Sequence, residues 1–245
     1  VTRPRSQSFE LAQLLIEAGA SPLVVPLIEI AEPLDAGAAL EAALRRVGEF
    51  DWVVFSSFNA VVRCWEHLEL SAPLDGVKVA AIGAQTAAAL RERGVEADLV
   101  PGEYLAESLV EAFPLPVVPG SSSVLVPCAA GARDNLAVGL GEKGWRVEKV
   151  EAYRTLRAEV LEADLGAFKR ADAITFASSS AVTAFVQLAG LAALPPVVAC
   201  LGQVTARTAE RAGLGVDVVA VEHTAEGLVR ALAGWALAAR AREQN

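Results

Sequence analysis

Hydrophobic residues in this chain fall into short unbroken runs set between small polar turns and amphipathic stretches. Asp51-Trp-Val-Val-Phe55, Val79-Ala-Ala-Ile82, Val124-Leu-Val-Pro127, Asp172-Ala-Ile-Thr-Phe176 and Val198-Ala-Cys-Leu201 carry the strongest of them. A run that is continuous, short and rich in Val and Ile marks a parallel strand buried on both faces; a half-exposed strand would alternate. Most of these runs lead through a Ser-, Thr- or Gly-rich turn into a helical pattern. Strands alternating with helices predict right-handed βαβ crossovers and helices on both faces of each sheet.

The pattern repeats. Asp51, Phe55, Ser57 and Val61 recur 121 positions later as Asp172, Phe176, Ser178 and Val182. Gly83 and Thr86 recur 119 positions later as Gly202 and Thr205. Both of the latter sites open Ala-rich helices that stop at a glycine, Gly94 or Gly213, as a left-handed C-cap requires. Short strands are expected next at Ala97–Val100 and Val216–Val221, followed by helices opening at Ala106-Glu107 and Ala225-Glu226.

A second kind of unit also occurs twice. Thr2-Arg3-Pro4 leads to a helix expected from about Ser6 to Glu17, then Gly19 and a strand at Pro22–Leu27. Val124–Pro127 leads to a helix from about Arg133 to Glu142, then Gly144 and a strand at Arg146–Val150. One unit of each kind makes a flavodoxin-sized sheet of about four or five strands. The expected fold is therefore α/β, with two similar flavodoxin-like domains and parallel sheets. Periodicity alone leaves the pairing of units open. Loops at Ala31–Ala36, Ala152–Ala158 and Pro114–Ser123 are all candidate connectors.

Composition adds exclusions. With 245 residues, 53% of them hydrophobic, the chain can bury a substantial core. No apolar stretch approaches the ~18 to 20 residues of a membrane span. The start Val1-Thr2-Arg3-Pro4 has no signal-peptide pattern and reads as the interior of a strand, with a few upstream residues expected to be missing. Net charge is −9, which argues against general nucleic-acid binding. Cys64, Cys128 and Cys200 form neither a disulfide framework nor a CxxC, so the cytoplasm is the expected compartment. His67 and His223 are too few and too far apart for a His-rich metal site.

Open parallel sheets bind ligands beyond the carboxyl ends of their strands, where helix N-termini present free N–H groups to anions. Polar clusters fall there at Arg3-Pro4, Ser56-Ser57, Gly83 to Thr86, Gly131 to Arg133, Ser178 to Ser180 and Gly202 to Thr205. Helix capping alone also explains such Ser and Thr residues. No GxSxG elbow, Walker loop, HExxH or GxGxxG is present. Cys128 follows a strand but has no His nearby, so a buried structural thiol is expected; His223 is expected to cap the last helix or face solvent. Tyr153, one of only two tyrosines, ends a repeated unit beside a candidate connector and has a phenol able to donate a proton.

In their order and spacing, Thr2-Arg3-Pro4, Phe55-Ser-Ser57, Ala81–Ala87, Val126-Pro-Cys…Gly131-Ala-Arg133, Glu151-Ala-Tyr-Arg-Thr155, Ile174–Ser178 and Leu201–Ala206 resemble uroporphyrinogen-III synthases over nearly the whole chain. Cys128 stands where many members have Arg, and Phe58 or Ser179 where Pro is frequent. The resemblance implies two domains joined by a two-stranded connector. The expected boundaries are 1–30 plus 158–245 for one domain, 36–151 for the other, and 31–35 and 152–157 for the connector.

The resemblance also implies the reaction. Hydroxymethylbilane, a linear polycarboxylate tetrapyrrole, loses water, inverts ring D and closes as uroporphyrinogen III, with no cofactor or metal. Tyr153 and Thr205 are the expected catalytic residues, Tyr153 acting at the leaving hydroxyl. Arg3, Ser56, Ser57, Gly83, Thr86, Gly131, Arg133, Ser178, Ser180 and Gly202 are the expected substrate-binding residues. The expected state is a monomer with no nucleic-acid or membrane partner. The rival reading is a non-enzymatic two-domain binding protein for a small anionic ligand.

Overall fold

The computed structural model describes residues 1–67, 74 and 76–243. Its elements begin with α1 (Phe9–Glu17), β1 (Ile28–Ala31), α2 (Ala38–Arg45), β2 (Trp52–Phe55) and α3 (Phe58–His67). Then come β3 (Lys78–Ala81), α4 (Ala84–Arg91), α5 (Ala106–Ala112), β4 (Ser123–Ala129), α6 (Asn135–Glu142) and β5 (Arg146–Arg157). The remainder is α7 (Glu162–Phe168), β6 (Ala173–Phe176), α8 (Ser179–Leu188), β7 (Val197–Cys200), α9 (Gln203–Arg211), β8 (Val218–Val219) and α10 (Ala225–Glu243). The chain divides into one unit of Val1–Glu29 with Thr155–Asn245 and another of Ile30–Arg154, so the first is discontinuous. The chain passes between them within β1 and within β5, which are neighbours in one sheet.

The continuous unit is built on a sheet ordered β1-β5-β4-β2-β3, in which β2 runs parallel to β3 and β4, and β4 parallel to β5. Both faces are apolar, which is why the strands read as unbroken runs. Val53, Phe55, Val79, Ala81 and Leu125 pack with Val61 and Cys64 of α3 and Leu90 of α4. The alternate residues Trp52, Val54, Ala80, Val124 and Val126 pack with Leu109 of α5 and Leu136 and Leu140 of α6. Gly139 brings α6 close to α5: a Cβ there would stand 2.9 Å from Val110.

The discontinuous unit repeats the plan with β6-β7-β8, all parallel. One face (Ile174, Phe176, Val198 and Cys200) packs on Val182 and Phe185 of α8 and Ala206 and Ala209 of α9. The other (Val197, Ala199 and Leu201) packs on Leu11 and Leu15 of α1 and Leu228 of α10. Each fully buried Phe contributes roughly 1.5–3 kcal/mol. The glycines expected to stop α4 and α9 do so, with Gly94 at φ 79° and Gly213 at φ 85°.

Several expected elements differ. Pro22–Leu27 is not a strand. Pro22 and Pro26 have no N–H to give a ladder; Val25 and Leu27 donate instead to the carbonyls of Val1 and Thr2, and the strand begins at Ile28. Residues 1–4 are likewise not a strand, and this sheet has three strands where four or five were expected. Ala97–Val100 is reduced to a single bridge, Ala80 to Leu99; the Asp98 side chain takes the Val79 N–H at 2.8 Å, as Asp217 takes the Val198 N–H beside β8, which does form a short strand. The first helix starts at Phe9, after a 3-10 turn at Arg5–Gln7. Helices α2 and α7 were not anticipated; each precedes the first strand of a repeat.

Candidate functional site

In the continuous unit the chain leaves β2 through Ser56 and Ser57 and enters α3. Ser57 Oγ accepts the Ala60 N–H at 3.2 Å, so it caps the helix. It also has a second partner. Tyr153, on β5 beyond the register shift at Cys128/Ala129, is 7% exposed, and its hydroxyl lies 3.0 Å from Ser57 Oγ. Burial pushes the Tyr153 phenol above its ordinary range, opposed in part by hydrogen bonds with Ser57 and Asn59. The result is a protonated, desolvated phenol with its O–H at the carboxyl end of β2. Burial also raises Cys128, whose Sγ lies 3.6 Å from the Val150 carbonyl, so it is a structural thiol as expected.

Beside this cluster, β3 runs through Gly83 into α4. Gly83 is extended, its N–H end of the helix lies next to the Tyr104 side chain, and Thr86 is buried in the first turn. Gly131 and Arg133 lie on the loop between β4 and α6. Both are exposed, and Gly131 has φ 67°. The Glu107 carboxylate is held below its usual range by its own backbone N–H first, by Asn135 next and by the charge of Arg133 as the smallest contribution.

The discontinuous unit presents the matching turns. Ser178 caps α8 by accepting the Ala181 N–H at 3.3 Å, and its Oγ is 3.0 Å from that of Ser180. Ser178 and Ser180 therefore stand where Ser57 and Asn59 stand in the other repeat. Gly202 starts α9 and Thr205 is buried in its first turn. Arg3 is 7% exposed, with no carboxylate at ion-pair distance among the described residues. Burial lowers its pKa and the more distant charge of Glu10 raises it. A buried guanidinium is costly unless it is paired or hydrogen-bonded, and a bound anion would offset that cost. His223 is half-buried against Gly202, and capping of α10 falls to Thr224, whose Oγ1 accepts the Gly227 N–H at 3.0 Å.

The structure thus joins Tyr153 to Ser57, and Ser178 to Ser180. Asn59 and Tyr104 had not been singled out from the sequence. Their signal was present in the repeat, since Asn59 aligns with Ser180 and Tyr104 with His223. A cavity of about 730 Å³ lies elsewhere, against Ala173 and Val197 at the amino ends of β6 and β7, with Phe168 and Trp235 in its wall. That is the wrong end of a parallel sheet for a ligand site. Among the described residues, no cluster of three or more His, Cys, Asp or Glu is placed to hold a metal ion.

Comparison with known proteins identifies relatives. The family model described as uroporphyrinogen-III synthase HemD matches residues 10–230. A uroporphyrinogen-III synthase of Synechococcus elongatus is 32% identical over 254 residues, spanning 96% of this chain and 94% of the relative. Among solved structures, a mutant uroporphyrinogen III synthase from the extremely thermophilic bacterium Thermus thermophilus superposes with TM-score 0.65 at 22% identity, covering 95% of this chain and 96% of that one. The Helicobacter pylori enzyme gives TM-score 0.59 at 20% identity, covering 86% and 92%. At these identities the structural likeness establishes the two-domain α/β fold.

Proposed function

The chain belongs to the uroporphyrinogen-III synthase family, and from that membership we infer that it converts hydroxymethylbilane into uroporphyrinogen III as a cyclising lyase. Loss of the hydroxymethyl OH as water leaves an electron-poor azafulvene. The substituted carbon of ring D attacks it, forming a spiro intermediate that reopens and recloses with ring D inverted. The pyrroles supply the electron pairs, so the protein's task is to hold the bilane in the conformation that rearranges, and to supply a proton to the departing oxygen.

The observation that carries the residue-level reading is the buried, protonated Tyr153 hydroxyl beside Ser57 and Asn59 at a strand end. In this reading Tyr153 donates to the leaving hydroxyl and Thr205 helps position the substrate. The carboxylates of the bilane are taken by the strand-end turns of each unit: Ser56, Ser57, Gly83, Thr86, Gly131 and Arg133 in one, Ser178, Ser180 and Gly202 in the other. Arg3 supplies a buried cation for one of these carboxylates. Local N–H groups and two arginines reconcile binding of a polyanion with a net charge of −9. Among the described residues no helix is long and apolar enough to cross a membrane. The reading is of a monomer working in the cytoplasm.

The deciding experiment supplies enzymatically generated hydroxymethylbilane and resolves the oxidised porphyrin isomers. An excess of type III over the spontaneous type I product establishes the activity. Ligand-dependent stabilisation with an unchanged isomer ratio would instead establish the binding-protein reading, which family membership disfavours.

A further inference from the structure

Gly83 and Gly202 occupy the same place in the two repeats, between a parallel strand and the helix that follows it. Neither needs to be glycine for its backbone: φ is −141° at Gly83 and −169° at Gly202, both extended conformations open to any residue. What surrounds them differs from an ordinary turn. A Cβ on Gly202 would stand 3.0 Å from Cε1 and Nε2 and 3.1 Å from Cδ2 of His223, three atoms of one ring at nearly equal distance. A Cβ on Gly83 would stand 3.7 Å from Cβ and Cγ of Tyr104. Each ring comes 21 residues after its glycine and two residues before the next helix, α5 or α10. Both side chains are only half-buried. The sequence similarity of the repeats and the packing of a ring on the helix start thus point, independently, to the same pair.

We propose that Tyr104 and His223 are equivalent positioning residues, each ring holding the strand-to-helix turn of its unit so that the turn's N–H groups stay open to a carboxylate of the bilane. The inference rests on the functional reading above. A bare glycine lets the ring close on the backbone, and the ring leaves no side chain over the N–H groups. The contact is tight at Gly202, where a Cβ would force the His223 ring to shift by a few tenths of an ångström, and ordinary at Gly83. The two turns are therefore alike in plan and unequal in tolerance.

The test measures KM, kcat, thermal midpoint and the type III to type I ratio for Tyr104→Ala, His223→Ala, Tyr104→Phe, His223→Phe and Gly202→Ala. The Ala variants are expected to raise KM at least fivefold and to lower the type III fraction, with kcat changed less than KM. The Phe variants, which keep a ring, are expected to recover most of the loss. Gly202→Ala displaces the ring, so adding His223→Ala to it is expected to change kcat/KM by less than twofold. The inference is overturned if KM and the isomer ratio of the Ala variants match the parent. It is equally overturned if the Phe variants fail as badly as Ala, or if the Gly202 and His223 losses multiply. A parent protein that forms no excess type III product sinks the functional reading itself, whatever the ring variants do.

Discussion

Removing the Tyr153 hydroxyl separates its chemical role from its structural one. Tyr153→Phe keeps a ring that is 7% exposed and packed in the core, so no cavity forms. It deletes a neutral contact of 3.0 Å to Ser57, whose oxygen keeps the Ala60 N–H as a partner, and the hydrogen bond with Asn59. Hydrogen bonds of this kind are worth about 0.5–1.5 kcal/mol each. Loss of the proton donor, by contrast, should lower kcat more than tenfold at saturating hydroxymethylbilane, at least ~1.4 kcal/mol of barrier. The assays are isomer-resolved turnover and urea unfolding of the same preparations. Turnover within about twofold of the parent would refute the acid role and leave Tyr153 as packing. The pH dependence follows from the direction of the shift. Burial raises the phenol's pKa in the folded state, so the native protein holds that proton more tightly than the unfolded chain. Stability from this group is complete below the unfolded value of ~10 and is lost as pH rises through the folded one. Between about pH 6 and 9 Tyr153 stays protonated, and no limb of the rate profile should come from it.

Other predictions concern the scaffold. Lys143 Nζ donates to the carbonyls of Val110, Glu111 and Phe113 at the end of α5, at 2.5, 2.9 and 2.6 Å. Lys143→Met should cost roughly 1.5–3 kcal/mol in urea unfolding without altering the isomer ratio; an unchanged midpoint would show those carbonyls to be solvated equally well. Asp98 accepts the Val79 N–H and Asp217 the Val198 N–H, each at 2.8 Å. Asp98→Ala and Asp217→Ala should therefore cost similar amounts, about 1–3 kcal/mol, with amide exchange accelerating at Val79 or Val198 respectively. All three cysteines are buried, and burial raises Cys64 and Cys128 and pushes Cys200 up to about 12. A disulfide reagent at about pH 8 should modify the native protein slowly and three thiols rapidly after denaturation; rapid native labelling would contradict the burial.

Much of the fold could be read from local pattern. The strands at Trp52, Lys78, Ser123, Ala173 and Val197 and the helices after them were visible because burial on both faces makes strand sequence continuous. The capping serines Ser57 and Ser178 were visible because a helix start demands an acceptor nearby. Failures came where side chains redirected the backbone. Two prolines removed the ladder at Pro22–Leu27, and pairing near Leu99 narrows to one bridge. Within the candidate site, Tyr153 stood out by scarcity. Asn59, aligned with Ser180, did not, because a lone Asn in the first turn of a helix looks like any surface residue.

By itself, then, the sequence determined the α/β class, the duplication and the order of units, because each depends on contacts or periodicities of short range along the chain. Family membership was legible too, through the order and spacing of weak segments. Tertiary structure alone decided that Tyr153 reaches Ser57 across 96 positions, and that Tyr104 and His223 close on glycines 21 positions earlier. It also decided that Arg3 is buried while Arg133 is exposed. Those facts depend on which strand ends the sheet brings side by side and on how much water the packing excludes. Neither quantity is local to any stretch of residues.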